Sequence, residues 1–114
     1  MKEVNSITND PYQDHQVYLP NGEPLGLKIK FEEQQYCWFI EEMNYLGQMF
    51  YNLKLVDSMN LLFQYQSKLP FGLALYSSNK LGPMFIDDFS DGVSKLYVLT
   101  KEECDEIKRF FTGS

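Results

Sequence analysis

The side chains that could support nucleophilic chemistry in this sequence are two cysteines and one histidine, namely Cys37, Cys104 and His15. A thiolate nucleophile needs a neighbouring base or a positive environment, so a Cys–His pair is the arrangement to consider. Cys37, however, stands within an aromatic strand-like run, and Cys104 falls on the apolar side of a helical pattern. Because free cysteines in such surroundings are usually buried, we expect both to pack in the interior and the protein not to be an enzyme.

Acidic residues form three short groups that could bind a metal ion or act as acid–base pairs. Residues 87–92 (DDFSDG) are similar to the start of a calcium-binding loop, but Val98 stands where that motif needs a bidentate Glu. Residues 32–33 and 41–42 are adjacent Glu pairs, and adjacent residues of a strand point to opposite faces. We therefore expect no catalytic pair, no metal site and no cofactor, and we interpret residues 87–92 as a solvated acidic loop.

The charge balance argues against two classes of partner. The chain of 114 residues has sixteen acidic and ten basic residues, which gives a formal net charge of −6. Nucleic-acid binding depends on clusters of Lys and Arg, and attraction to anionic membranes depends on the same residues. We therefore expect neither nucleic acid nor membrane as a partner. The sequence also has no apolar leader and no apolar run long enough to span a bilayer, which predicts synthesis in a reducing cytoplasm with free thiols.

Apolar residues that alternate with polar ones predict a mainly β fold. Residues 25–31 (LGLKIKF) have the period of a half-buried strand, and Asn21-Gly22 before them favours a tight hairpin turn. The same reasoning predicts a short strand from Val17 and further strands at residues 35–41, 49–55, 71–77 and 94–100. We expect a small antiparallel sandwich or partly open barrel of about six strands with a short C-terminal helix.

Residues 34–63 contain the densest aromatic and apolar pattern of the chain. Two neighbouring strands with a turn at Gly47 are predicted here, followed by a short helical turn that begins at Ser58. The side chains expected on inward faces of the two strands are Tyr36, Trp38, Ile40, Met49, Tyr51, Leu53 and Leu55.

The two ends of the chain have different patterns. Residues 1–16 are rich in Asn, Asp, Gln and Ser, which predicts a flexible arm before a single β-rich domain at residues 17–114. Thr100 and Glu103 have the spacing of a capping box and predict a helix over residues 101–111. The apolar stripe of this helix consists of Cys104, Ile107 and Phe111.

The order of the hydrophobic signatures can be compared with a known family. The signatures are a Leu-Gly-Leu strand, Tyr36-x-Trp38-x-Ile40, a turn at Gly47, Leu53-x-Leu55, Ser58-x-Asn60-Leu61-Leu62-x-x-Tyr65, Pro83 before Asp87-Asp88-Phe89, and Leu96-Tyr97-Val98-Leu99. This order, over about residues 17–103, resembles the small baseplate plug protein of contractile-tailed phages, a group known from cyanophage baseplates. The N-terminal arm and the C-terminal helix depart from that family, which has no catalytic residues to transfer.

The resemblance implies a virion structural protein at the hub or tail-tube end of the baseplate, with hub, tube and spike proteins as partners. Nine Phe, eight Tyr and one Trp exceed the needs of a small core, so we expect some of them at protein interfaces, and a homo-oligomer is one such arrangement. The alternative is a small cytosolic phage or bacterial domain that binds or regulates a protein and has no virion role. The candidate interface residues are Tyr12 and His15 in the arm and Met84, Phe85, Ile86 and Phe89 in the long loop. For the loop residues, a lid folded over the end of the domain is the alternative interpretation.

Overall fold

The sequence folds into seven β-strands and one α-helix in a computed structural model that describes residues 1–66 and 68–112, with side chains described through residue 110. The strands are β1 (Lys2–Glu3), β2 (Tyr12–Tyr18), β3 (Pro24–Glu32), β4 (Cys37–Tyr45), β5 (Gln48–Lys54), β6 (Gly72–Ser77) and β7 (Ser94–Leu99), and the helix is α1 (Lys101–Thr112). Short 3-10 turns lie at Glu33–Gln35 and Phe63–Tyr65.

The strands form two antiparallel sheets, one with the order β2-β3-β4-β5 and one with the order β1-β7-β6. Buried apolar side chains from both sheets belong to one hydrophobic core. This arrangement is a β-sandwich, so the predicted mainly β fold with a C-terminal helix is confirmed. The described strands do not form a closed barrel, because the strand order leaves two separate sheets.

An extra residue in β4 keeps the apolar side chains of this strand on one face. The pairing between β3 and β4 shifts by one residue at Glu41, which is a β-bulge. Because side chains alternate along a strand, the bulge moves the inward positions from even to odd residue numbers. The side chains of β4 that are buried in the core are Trp38, Ile40, Met43 and Tyr45.

The prediction that Tyr36 faces inward is wrong. Tyr36 ends the 3-10 turn before β4 in a left-handed conformation with φ of 50°, and its side chain is exposed. The left-handed residue reverses the chain direction between β3 and β4, so the alternation of β4 begins only at Cys37.

Two inward positions predicted in β5 are also wrong. Met49 and Tyr51 are exposed, whereas Phe50 and Leu53 pack against the core. Asn52 has φ of 55°, and a left-handed residue interrupts the strict alternation of a strand. The inward position of Leu53 beyond this residue was predicted correctly.

Residues 1–16 do not form the flexible arm that their composition suggested. β1 pairs with β7 and β2 pairs with β3, and the side chains of Val4 and Ile7 are buried in the core. The prediction of an arm is wrong because an edge strand with polar side chains on its outward face has the same composition as a flexible segment. The N-terminal residues therefore belong to the sandwich.

The segment between β5 and β6 covers the edge of the smaller sheet. Ser58 forms an isolated bridge with Leu75, and a 3-10 turn at Phe63–Tyr65 takes the place of the expected helical turn from Ser58. Asn60 is buried, and its Oδ1 accepts the backbone N–H of Leu73 at 3.2 Å. This side chain therefore fixes the segment to β6.

The capping box at the start of α1 is confirmed. The backbone N–H of Thr100 donates to Glu103 Oε1 at 2.9 Å, and the backbone N–H of Glu103 donates to Thr100 Oγ1 at 3.1 Å. Cys104 is buried and Ile107 is half-buried, as the helical stripe predicted. The side chain of Phe111 lies outside the described residues.

Candidate protein-interaction surface

Trp38 fixes the long loop between β6 and β7 against the end of the sandwich. Its indole Nε1 donates to the backbone carbonyl of Phe85 at 3.1 Å, and the ring of Phe89 lies edge-on to the indole with centroids 5.4 Å apart. Phe89 is only 9% exposed, so its expected role at an interface is corrected to a packing role in the core. The loop therefore packs against Trp38 through the carbonyl of Phe85 and the ring of Phe89.

Asp88 holds the turn of this loop from inside. Asp88 is 6% exposed, and its Oδ2 accepts the backbone N–H groups of Met84 at 2.8 Å and Phe85 at 3.0 Å. The interpretation of the acidic run as a solvated loop is therefore wrong for Asp88. Asp87 is exposed and accepts a hydrogen bond from Asn9 Nδ2 at 3.2 Å, which links the loop to the N-terminal segment.

These contacts create an open groove of about 620 Å³ between the N-terminal segment, the end of β3 and the long loop. The backbone N–H of Phe31 donates to the carbonyl of Pro11 at 2.9 Å, so the segment before β2 is tied to β3. We call this surface the Tyr12–Ile86 groove. Its lining residues are Pro11, Tyr12, Phe31, Glu32, Glu33, Gln34 and Ile86.

The structure brings some of the candidate interface residues together and separates others. Tyr12, which is 69% exposed, and Ile86 both line the groove, although they are far apart in the sequence. Phe85 directly precedes Ile86 and is 60% exposed, and Met84 is half-buried. His15 and Phe89 do not line the groove.

The groove also includes residues that sequence reasoning did not select. Phe31 was predicted as an inward residue of a strand, and it packs on Trp38 with ring centroids 5.3 Å apart while one side lines the groove. Glu33 was considered as one member of an adjacent Glu pair. No local pattern marks either residue as part of a surface, because the surface exists only after residues distant in sequence pack together.

The charge of the groove is negative. Glu32 forms an ion pair with Lys30 at 3.2 Å, and this hydrogen bond raises the pKa of Lys30. Glu33 is exposed and has no ion pair among the described residues. Two Glu and no Lys or Arg line the groove, so its potential is acidic beside an apolar floor.

The Cys–His arrangement considered from the sequence is not formed among the described residues. His15 Nδ1 lies 3.2 Å from Ser6 Oγ and Nε2 lies 2.5 Å from Gln13 Oε1, and burial lowers the pKa of the imidazole. Cys37 and Cys104 are both buried, and burial raises the pKa of Cys104 to about 11. The expectation that the protein is not an enzyme stays a prediction.

A second open groove, of about 520 Å³, lies on the outer face of the smaller sheet. Ala74 and Tyr97 are paired across β6 and β7, and exposed Tyr76 stands beside them. Only the alternation of polar and apolar residues in these two strands indicates this surface at the level of sequence. The apolar residues that line it are Met1, Met59, Ala74, Leu75, Tyr76 and Tyr97.

Residues 1–66 and 68–112 contain neither a metal-binding cluster nor a membrane-spanning helix. No group of three or more His, Cys, Asp or Glu side chains in these ranges is arranged to hold a metal ion. The helical part of the same ranges is too short and too polar to cross a membrane. No model of a known protein family and no curated protein matches this chain. The strand order and the C-terminal helix define the class of the chain as an antiparallel β-sandwich with a C-terminal helix.

Proposed function

We propose that this protein is a structural component of a bacteriophage tail, with a plug-like place at the hub or tail-tube end of the baseplate. It acts by protein–protein assembly and has no catalytic step. The order of hydrophobic signatures over about residues 17–103 supports the phage context through its resemblance to the baseplate plug family. The Tyr12–Ile86 groove supports the assembly role, and this groove is the observation that carries the proposal.

The groove brings aromatic side chains of the kind found at protein interfaces next to two carboxylates. Aromatic side chains are enriched at such interfaces because they bury a large area and lose few rotamers. Tyr12 and Phe85 are largely exposed next to half-buried Phe31 and Ile86. A partner that covers them removes apolar surface from water.

The floor of the groove is fixed before any partner binds. Trp38 contacts Phe31 of β3 through its ring and Phe85 of the long loop through its Nε1. The strand and the loop that border the groove are therefore attached to the same buried side chain. A surface that is already ordered loses less conformational entropy on association. Such preorganisation suits a component that has to assemble with hub, tube or spike proteins.

Mass spectrometry of purified phage particles tests the proposal. We expect peptides of this protein in intact particles. The double variant Tyr12→Ala/Ile86→Ala is expected to lower its incorporation by at least about tenfold, since interface anchors typically contribute 1 kcal/mol or more each. The control is Tyr51→Ala, which truncates an exposed tyrosine of β5 outside the groove and should leave incorporation unchanged.

Absence of the protein from intact particles would overturn the phage role. A soluble partner captured by the wild type and lost with Tyr12→Ala/Ile86→Ala would then favour the small cytosolic binding domain. Circular dichroism and urea unfolding of both variants establish that a lost interaction does not arise from unfolding.

A further inference from the structure

The Tyr12–Ile86 groove combines an apolar floor with an acidic wall. Phe31, Ile86 and Tyr12 provide the apolar part, and Glu32 and Glu33 lie at the side formed by the 3-10 turn after β3. Lys30 already neutralises Glu32 in part, whereas exposed Glu33 has no ion pair within residues 1–66 and 68–112. A partner therefore meets one uncompensated carboxylate next to an apolar surface.

We infer that this groove binds a segment of a partner protein in which a Lys or Arg side chain stands beside an aromatic or aliphatic one. This inference rests on the proposed assembly function and adds the chemistry of the partner. The apolar side chain covers Phe31 and Ile86, and the cation reaches the carboxylate of Glu33. Exposed Tyr12 lines the same groove and offers an aromatic face with which an Arg in the groove can form a cation–π contact.

The negative charge of the groove favours a basic partner segment over an acidic one. Like charges placed together at an interface oppose association, and complementary charges raise the association rate and exclude wrong partners. The groove has no basic residue in its lining, so an acidic segment would find no counter-charge there. The apolar contact supplies most of the affinity, and the carboxylates supply the preference.

A second copy of this chain is a less suitable occupant. Each copy has a formal net charge of −6, so two copies repel one another before an acidic groove is filled. The chain has a basic and aromatic run of its own, Lys108, Arg109 and exposed Phe110 in α1, but to place it in the groove of a second copy would bring together two chains that each have a net charge of −6. A different protein with a basic and apolar segment is therefore the partner that the charges favour.

Peptide titration followed by ¹H–¹⁵N NMR tests this inference with the full-length protein. The probes are an acetylated and amidated Ser-Gly-Ser-Arg-Phe-Ser-Gly-Ser peptide, the same peptide with Glu in place of Arg, and the same peptide with Ala in place of Phe. We expect the Arg-Phe peptide to shift the amide signals of Phe31, Glu33 and Ile86. It should bind at least about fivefold more tightly than the Glu-Phe peptide at low salt, and added salt should reduce this preference.

Matched variants test which carboxylate causes the preference for the Arg peptide over the Glu peptide. Glu33→Gln should reduce the difference between the Arg and Glu peptides to less than about twofold, whereas Glu106→Gln, which removes an exposed carboxylate of α1, should leave it unchanged. Loss of binding with the Ala peptide establishes the apolar anchor. Equal binding of the Arg and Glu peptides, or shifts confined to the groove of Met1 and Tyr97, would overturn the inference.

The remaining outcomes separate the inference from the proposed function. Sedimentation of the protein alone that reveals self-association dependent on Glu33 would replace the partner segment with a second copy and overturn the inference. Incorporation into particles without any preference for the Arg peptide overturns the inference alone. A clear preference for the Arg peptide in a protein that is absent from particles overturns only the phage role.

Discussion

The indole Nε1 of Trp38 donates a hydrogen bond to the backbone carbonyl of Phe85 at 3.1 Å. This contact joins the central strand β4 to the long loop that forms one wall of the Tyr12–Ile86 groove. Trp38 is fully buried, so its side chain serves the core and the surface at the same time. The stability of the fold and the shape of the groove therefore depend on the same residue.

Trp38→Phe should lower the stability of the fold and loosen the long loop that borders the groove. The substitution leaves the carbonyl of Phe85 without its donor and opens space beside the ring of Phe89. We expect a loss of about 2 to 3 kcal/mol in the free energy of unfolding. Urea unfolding measures the loss, and amide hydrogen exchange should become faster in the long loop.

Tyr51→Phe is the control for this substitution, because Tyr51 is exposed on β5 and should change stability by less than about 0.5 kcal/mol. Equal stability of Trp38→Phe and Tyr51→Phe would mean that the hydrogen bond to Phe85 does not contribute to the fold.

Asp88→Ala should release the turn of the loop. The buried carboxylate accepts the N–H groups of Met84 and Phe85, and hydrogen bonds to a charged acceptor contribute more than neutral ones. We expect a loss of about 2 to 3 kcal/mol in urea unfolding. Asp91→Ala, which removes an exposed carboxylate of the same loop, should cost less than about 0.5 kcal/mol. A similar effect of both substitutions would contradict the structural role of Asp88.

Much of the sandwich could be predicted because its strongest signals are local. Leu25, Leu27 and Ile29 alternate with polar residues and are buried in β3 as expected. Thr100 and Glu103 form the predicted capping box because both partners lie within one helical turn. Signals of this kind need no knowledge of the rest of the chain.

The errors arise where the backbone departs from strict alternation. The bulge at Glu41 and the left-handed Asn52 each change which residues face inward, and the hydrophobic pattern does not mark either position. Only the end of β2, from Val17, was predicted, because the outward side chains of its earlier residues are polar. An edge strand of this composition is similar to a loop when it is judged by sequence alone.

The groove could be predicted only in part. Tyr12 and Ile86 were each proposed as interface residues, but nothing in the sequence indicated that they line one cavity. Their proximity depends on pairing of distant segments, including the contact between Asn9 and Asp87. Phe31 was missed because an inward residue at the end of a strand is half core and half surface.

Gly72→Ala should strain the contact between β6 and α1. A Cβ atom at Gly72 would lie 2.7 Å from Asn60 Oδ1 and 2.7 Å from Cys104 Sγ, and both neighbours are buried. We expect a loss of about 1 to 3 kcal/mol in urea unfolding, because overpacking forces side chains or backbone to move. At Gly26 a Cβ atom would meet Asn44 Cβ at an ordinary 3.7 Å.

Gly26→Ala is therefore the matched control and should change stability by less than about 1 kcal/mol. Removal of the sulfur should relieve part of the strain, so Gly72→Ala/Cys104→Ala should be less destabilised than the sum of its single variants. Full additivity of these two substitutions would indicate that Gly72 and Cys104 are not in contact.

The contribution of Glu103 should depend on pH. The hydrogen bond from the backbone N–H of Thr100 holds the pKa of Glu103 below its ordinary value of 4.5. Because the pKa is lower in the folded state, the charged form adds stability above the unfolded-state pKa, and this stability is lost as the pH falls through the folded-state pKa. Wild type should thus be more stable than Glu103→Gln at pH 7, and the difference should approach zero at strongly acidic pH.

Thr100→Ala provides the comparison for the pH series. It removes the hydroxyl that accepts the Glu103 N–H, and because this contact is uncharged, a cost of about 1 kcal/mol should remain at acidic pH where the protein still folds. Urea unfolding of Thr100→Ala and Glu103→Gln at several pH values between acidic and neutral distinguishes the two variants. A difference for Glu103→Gln that persists at strongly acidic pH would contradict the assigned charge effect.

Cys104 should react slowly with a thiol reagent in the native protein. Burial is the main reason that its pKa rises to about 11, and the carboxylates of Asp105 and Glu103 act in the same direction. At pH 8 the thiolate is then about one part in a thousand, and Cys37 is also buried. We expect alkylation by iodoacetamide, followed by mass spectrometry, to be at least about a hundredfold slower than in the urea-unfolded chain. Rapid alkylation of Cys104 in the folded protein would contradict its packing role and restore a thiol enzyme as a candidate function.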